Sequence, residues 1–214
     1  WKHIQSLKRE GYDIEAHSRL GYRLCGVPDL LSPAEIKPKL MTKLLGREIR
    51  YLNCVDSTNN EAKRLAADGC AEGLIVVAEQ QAGGRGRLAR GWFSPFGKGI
   101  WFSLVLRPRF SPQEAPKCTM MAAVAVTQAI KKVTGIACGI KWPNDILYEG
   151  KKLVGILTEI AAEIDVINHV VIGIGVNVNI DAADLPEELG GVATSLQLIG
   201  GQAYPRVDLL AAIL

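Results

Sequence analysis

From Arg50 onward the chain alternates short apolar runs with amphipathic stretches, and this alternation limits its fold more than any other feature of its 214 residues. Runs rich in Val and Ile and bounded by turn formers predict strands over 51–55, 74–79, 100–107, 136–141, 146–148, 152–160 and 169–180. Helical spacing predicts helices over 59–67 and 117–133. Interleaved in this way, they predict a mixed α/β domain large enough for its own core, with no internal repeat. A composition 48% hydrophobic and 22% charged is globular, which excludes a disordered tail, a coiled coil or a fibrous repeat. The longest apolar windows, such as 120–126 and 170–176, fall short of the roughly 18 residues of a membrane span. No charged-then-apolar targeting segment opens the chain, which predicts a cytoplasmic protein. The cysteines (Cys25, Cys54, Cys70, Cys118, Cys138) have no CxxC or zinc spacing and suit a reducing compartment. With only three histidines, a transition metal held by protein alone is not expected. A net charge of +3 identifies no partner.

The first part of the chain is different. Residues 1–10 have helical spacing, and two short strands are expected over 12–16 and 21–24, with Arg19 between them and Arg23 in the second. A helix running into a small basic hairpin matches the second half of a winged helix-turn-helix, and equally a plain cap on a larger domain. Ser32-Pro33-Ala34-Glu35 reads as a capping box opening a connector helix that ends near Gly46. The chain opens on Trp1 and stops within the apolar pattern Asp208–Leu214, as the ordered part of a longer protein would.

Four stretches could carry chemistry. Between Gly83 and Gln113 lie six basic residues and no acid, and residues 83–91 (GGRGRLARG) hold four glycines and three arginines. Glycine admits close backbone approach and the arginine fork matches carboxylate or phosphate, so this loop reads as an anion collector that orders on its ligand. A solvated basic loop is the plainer reading. Gly84-x-Gly86-x-x-Ala89 lacks the helix and the distant acid of a dinucleotide fingerprint, and Gly91 to Lys98 fails as a P-loop. Lys141-Trp142-Pro143-Asn144-Asp145 must turn at its proline and present Asn144 and Asp145 at a strand end. Lys152 opens the return strand of the following hairpin, where an edge charge or a phosphate partner would suit. In 170–180 the even positions are apolar while the odd ones run Gly173, Gly175, Asn177, Asn179. That face would take either a flat ligand or close packing of another element. Finally, Asp56-Ser57-Thr58-Asn59-Asn60-Glu61 joins a strand to a helix, as a capping box at Thr58 or as a set of donors. No nucleophilic triad is present, so the chemistry implied is positioning of an anionic substrate without a covalent intermediate.

Taken together, 56–59 (DSTN), 78–92 (AEQQAGGRGRLARGW), 92–97 (WFSPFG), 141–145 (KWPND), 152–157 (KLVGIL) and 173–177 (GIGVN) resemble the biotin protein ligases in order and spacing. Specifically, they resemble those fused to the biotin operon repressor's DNA-binding domain. The resemblance implies a mixed sheet like that of class II tRNA-synthetase catalytic domains, preceded by a partial winged helix-turn-helix. The boundaries would be 1–27 for the DNA-binding part, 28–48 for the linker helix and 49–214 for the catalytic domain, without the small barrel that follows it in the family. It implies ATP-dependent formation of biotinyl-5′-AMP and transfer of biotin to a lysine of a biotin carboxyl carrier protein, with Mg²⁺ accompanying ATP. By resemblance Ser57, Thr58, Asn59, Gln81, Arg85, Gly86, Arg87, Lys152, Gly155 and Gly173 would bind biotin. Trp92, Lys141, Asn144, Asp145 and Asn177 would bind the adenylate side, and Lys152, Arg87 and Arg90 would be catalytic. Lys2, Arg19 and Arg23 would meet operator DNA, and the adenylate-bound protein would be a homodimer. Lipoate ligases share the fold, but their characteristic stretches are not apparent. A biotin-sensing repressor without catalysis would not need Lys152 with Arg87 and Arg90. Ala89 departs from the family, which usually has glycine there.

Overall fold

The computed structural model describes residues 1–214 apart from Glu10, Ser18, Arg19 and Asp165, and describes Ala89 by its backbone only. The chain divides into two compact units, Trp1–Leu30 and Leu31–Leu214. The first consists of helix α1 (Lys2–Arg9) and an antiparallel hairpin of β1 (Asp13–His17) and β2 (Gly21–Gly26). Gly21 takes φ +88, the left-handed backbone that glycine allows as β2 begins. Lys2 and Arg23 are exposed, on α1 and β2 respectively, while Arg19 lies outside the described residues.

The second unit is built on a seven-stranded sheet. Its strands are β3 (Ile49–Val55), β4 (Ile75–Gln81), β5 (Gly99–Leu106), β6 (Gly139–Lys141), β7 (Asp145–Tyr148), β8 (Lys151–Ala162) and β9 (Ile167–Asn177), in the order β3-β4-β5-β9-β8-β7-β6. Among the described strands of this sheet only β3 and β4 pair in parallel, and α3 (Thr58–Ala67) connects them as parallel pairing requires. One face carries the main core. There Ile172, Ile174 and Val176 of β9 pack with Val126 and Ile130 of α4 (Pro116–Thr134), with Leu196 of α5 (Leu196–Gly200) and with Leu209 and Leu210 of α6 (Arg206–Ile213). On the other face Ala62 and Ala66 of α3 cover Val76, Val105 and Val171. This smaller cover leaves the rest of that face open as a trough.

Three expectations are corrected, the first being the strand expected over 136–141, of which only Gly139–Lys141 pairs, with β7. The connector helix expected from Ser32 to near Gly46 is a single α-helical turn, α2 (Pro33–Ile36), followed by a 3₁₀ turn over Lys37–Lys39. Pro38 has no N–H to continue the helix, and the Ser32 side chain forms no cap. The strand expected over 169–180 ends at Asn177, because Asn179 leaves the ladder and holds both backbone groups of Tyr204 with its amide.

Candidate active site

Register builds the trough. Trp101, Gly175, Gly155 and Asp145 lie opposite one another in one row across β5, β9, β8 and β7. Two residues further along, Ser103, Gly173 and Leu157 form the next row. Strand neighbours in register share a face, so the two glycines of β9 and Gly155 leave a bare strip of backbone. Protein groups cover part of it. The Trp92 indole lies over Gly155 and Gly175, and a methyl on Gly155 would stand 2.7 Å from the ring. Trp92 meets Trp101 edge-on, with centroids 6.4 Å apart. Over Gly173 lies the Asn59 amide. The strip read as a seat for a flat ligand is therefore shared with two side chains.

At one end the polar groups interlock. Thr58 donates its N–H (2.9 Å) and its hydroxyl (3.1 Å) to Gln81 Oε1, and Gln81 Nε2 donates to Ser94 Oγ. The Ser103 hydroxyl lies within bonding distance of Thr58 Oγ1 and of Asn59 Oδ1. Asn59 Nδ2 donates to Glu159 Oε2 at 2.9 Å and to the Leu157 carbonyl. The capping box expected at Thr58 is not formed: Ser57 stands at the N-cap, and Glu61 pairs with Arg64 and Arg50. Ser57, Thr58 and Asn59 are all buried. Polar side chains are buried in this way when a network holds them or a ligand meets them.

Residues 84–92 form a hairpin closed by Trp92 N–H on the Gly84 carbonyl (2.8 Å) and Gly86 N–H on the Arg90 carbonyl (2.7 Å). Its shape thus comes from its own backbone as well as from any anion. Arg85 is anchored on Asn60 and lies 3.7 Å from Glu159, while Arg87 donates to Asn144 Oδ1 at 3.2 Å. Glu159 also holds Lys63 at 2.7 Å. Burial raises the Glu159 pKa, but hydrogen bonds from Lys63 and Asn59 outweigh that and hold it below the ordinary value.

Lys152 stands further along the trough, at its middle. Its backbone bonds Val192 and Thr194, which fixes it at the start of β8. Its ammonium lies 2.8 Å from Asp145 Oδ1 and 5.3 Å over the Trp92 ring. The Asp145 approach is an ion pair without the alignment of a hydrogen bond. Asn144 is engaged at both ends of its amide, since Nδ2 donates to the Ile156 carbonyl. Asn177 Nδ2 donates to the Thr194 carbonyl.

These side chains line two adjoining hollows. Ser57, Thr58, Asn59, Gln81, Arg85, Gly86, Arg87, Lys152, Gly155 and Gly173 all border the first. Arg90, Lys141, Asp145 and Asn177 border only the second, and Arg87, Trp92, Asn144 and Lys152 border both. Every residue singled out from sequence for an acid and a nucleotide is thus brought to one trough, with Trp92 and Lys152 where its halves meet. Sequence reasoning missed Ser103 and Glu159. Ser103 is the lone hydroxyl in the otherwise apolar strand β5, and a buried position for it was the available signal. Gly173→Ala should force Asn59 off the sheet, an overpacking cost of about 1–3 kcal/mol. Thermal unfolding checks this, and unchanged stability would mean that Asn59 turns aside freely.

The mixed sheet thus carries an arginine-rich hairpin, a buried amide–hydroxyl network and a lysine between two hollows. Residues 51–177, more than half of the chain, match the model of the biotin/lipoate A/B protein ligase family, and the chain belongs to that family. It is 48% identical over all 214 residues to the bifunctional ligase/repressor BirA of Bacillus subtilis, covering 66% of that protein. To the bifunctional ligase/repressor BirA of Escherichia coli it is 32% identical over 176 residues, 82% of this chain and 53% of that one. Among solved structures it is similar to the biotin protein ligase of Aquifex aeolicus in complex with biotin and ATP, with a TM-score of 0.66 and 33% identity, over 78% of this chain and 67% of that one. The chain therefore spans just under two thirds of the length of its Bacillus relative.

Proposed function

We propose that the protein is an ATP-dependent biotin–[biotin carboxyl carrier protein] ligase. The observation that carries this reading is the division of the trough, with a hydrogen-bonding end at Ser57, Thr58 and Gln81 and a cationic stretch at Lys152, Arg87 and Arg90. Biotin suits that polarity, with a ureido ring for the first end and a carboxylate for the second. A carboxylate and a triphosphate repel until cations screen them, and Lys152 stands where the two would meet. A carboxylate oxygen attacks the α-phosphorus, the bond to the β-phosphate breaks, and pyrophosphate leaves with that electron pair. The acceptor lysine amine then attacks the acyl carbon, AMP leaves and the amine proton is released. The arginine hairpin and Trp92 would cover the mixed anhydride against water.

Among the described residues no three His, Cys, Asp or Glu come together as a metal site. Asp145 is the carboxylate on the nucleotide side, so the donor set fits Mg²⁺ that arrives with ATP, with Asp145 as its protein contact. Such an ion would shield phosphate charge. The acceptor would be the carrier domain of acetyl-CoA carboxylase or another biotin-dependent carboxylase. Lys2 and Arg23 are exposed on a helix and hairpin that suit the operator contact of a longer, repressing protein. A homodimer finds support at β8, where β7 pairs only as far as Gly155 and residues 157–162 are bonded to β9 alone among the described strands. No described helix is long and apolar enough to cross a membrane, and the cytoplasm is the compartment we propose.

The test is to mix the protein with biotin, Mg-ATP and a carrier domain. Pyrophosphate release and a gain of one biotinyl mass on the carrier are expected. Release without transfer would limit the chain to adenylation, and neither product would overturn the reading. Lipoate in place of biotin should give neither.

A further inference from the structure

Lys98 belongs to the acid-free basic stretch, yet it borders neither hollow of the trough. It stands just before β5 and its ammonium turns to the segment that follows β9. Nζ lies 2.7 Å from Asp184 Oδ2 and 3.6 Å from Asp181 Oδ2. The two acids are themselves locked in a turn, with Ala183 N–H and Asp184 N–H on Asp181 Oδ1 and Asp181 N–H on Asp184 Oδ2. The hydrogen bond from Lys98 holds the Asp184 carboxyl below its usual range, and Asp184 raises the lysine in turn. Beyond this turn Leu189, Val192 and Ala193 wall the nucleotide side of the trough. Behind that wall is a separate hollow of about 690 Å³, lined by Leu185, Pro186, Glu187 and Leu198 among others. A wall with open space on both faces is held by its ends. At one end residues 192–194 pair with the Lys152 backbone; at the other the Asn179 N–H bonds the Lys98 carbonyl, and beyond it the Lys98 ammonium is the side-chain tie to Asp181 and Asp184.

We infer that Lys98 is a positioning residue for the nucleotide: by tying Asp181 and Asp184 it keeps the 185–193 wall against the cleft. This rests on the ligase reading for its kinetic consequence but not for its structural one, and the test separates the two. Wild type, Lys98→Met and Lys98→Arg are compared without ligand for cleavage after the exposed Glu187 and Glu188 by a glutamyl endopeptidase. They are also compared for the KM of ATP in biotin-dependent pyrophosphate release. Lys98→Met should be cut about fivefold faster and show a KM for ATP raised by about the same factor, the size a partly buried ion pair supports. The kcat and the KM for biotin should stay within about twofold, and Lys98→Arg should restore both readouts. Unchanged cleavage would overturn the tie, and faster cleavage with an unchanged KM for ATP would overturn its role toward the nucleotide. If the wild type releases no pyrophosphate, the ligase reading fails while the cleavage comparison still decides the tie.

Discussion

Lys152→Ala is expected to slow adenylate formation by a factor of about 10² to 10³, the cost of removing one preorganised electrostatic contact to a developing charge. Biotin affinity should fall far less, because the hydrogen-bonding end of the pocket, at Ser57, Thr58 and Gln81, does not depend on the lysine. The size of the effect has a second source. Lys152 is the ion-pair partner of Asp145, 2.8 Å away at the edge of the nucleotide side. Without the ammonium, that carboxylate would face incoming phosphates uncompensated. Lys152→Ala combined with Asp145→Asn should therefore be less impaired than the sum of the two single changes. Single-turnover pyrophosphate release and calorimetric titration with biotin measure the two halves. An unchanged rate in Lys152→Ala would remove the lysine from the mechanism, and a matching loss of biotin affinity would make it a binding group only.

Where the sequence was informative, short-range pattern decided the outcome. The period-2 alternation of β9 places Ile172, Ile174 and Val176 in the core and Gly173, Gly175 and Asn177 on the trough side, as the structure has them. The same pattern states that something must lie on the bare glycines without saying what. The answer includes Asn59 and Trp92, more than 80 residues away in sequence, which no local spacing encodes. Thr58 shows the opposite failure. Its capping box with Glu61 was locally sufficient, but Gln81 and Ser103 compete for the same hydroxyl through tertiary contacts. The connector misled for a third reason, since a capping signature at Ser32 cannot outlast a proline six residues later. Charge was legible as a cluster of arginines, while their counter-groups Asn60, Glu159 and Asn144 are assembled from three separate elements.

The largest loss of stability is expected from Arg206→Met. Arg206 opens α6 and is 1% exposed, and its guanidinium donates to Glu79 Oε2 at 2.8 Å and to the Gly99 carbonyl at 3.0 Å. Glu79, fully buried on β4, accepts on its other oxygen from the Leu31 N–H at 2.7 Å and from the Tyr51 hydroxyl. One carboxylate thus joins the start of the larger unit, the sheet edge and the last helix across 127 positions of sequence. Methionine fills much of the space of the arginine stem but leaves Glu79 a buried charge with only neutral donors. Breaking such a pair costs about 3–5 kcal/mol. Set against a total of about 5–15 kcal/mol for a domain, this should lower the melting temperature by roughly 6–20 °C. Arg206→Met with Glu79→Gln should recover part of the loss, because the orphaned charge and not the missing contact dominates it. Neither residue borders the trough, so biotin affinity measured well below the transition should not change. A shift of less than about 2 °C, or a double variant no better than the single, would show that the pair contributes packing and not charge compensation to this fold.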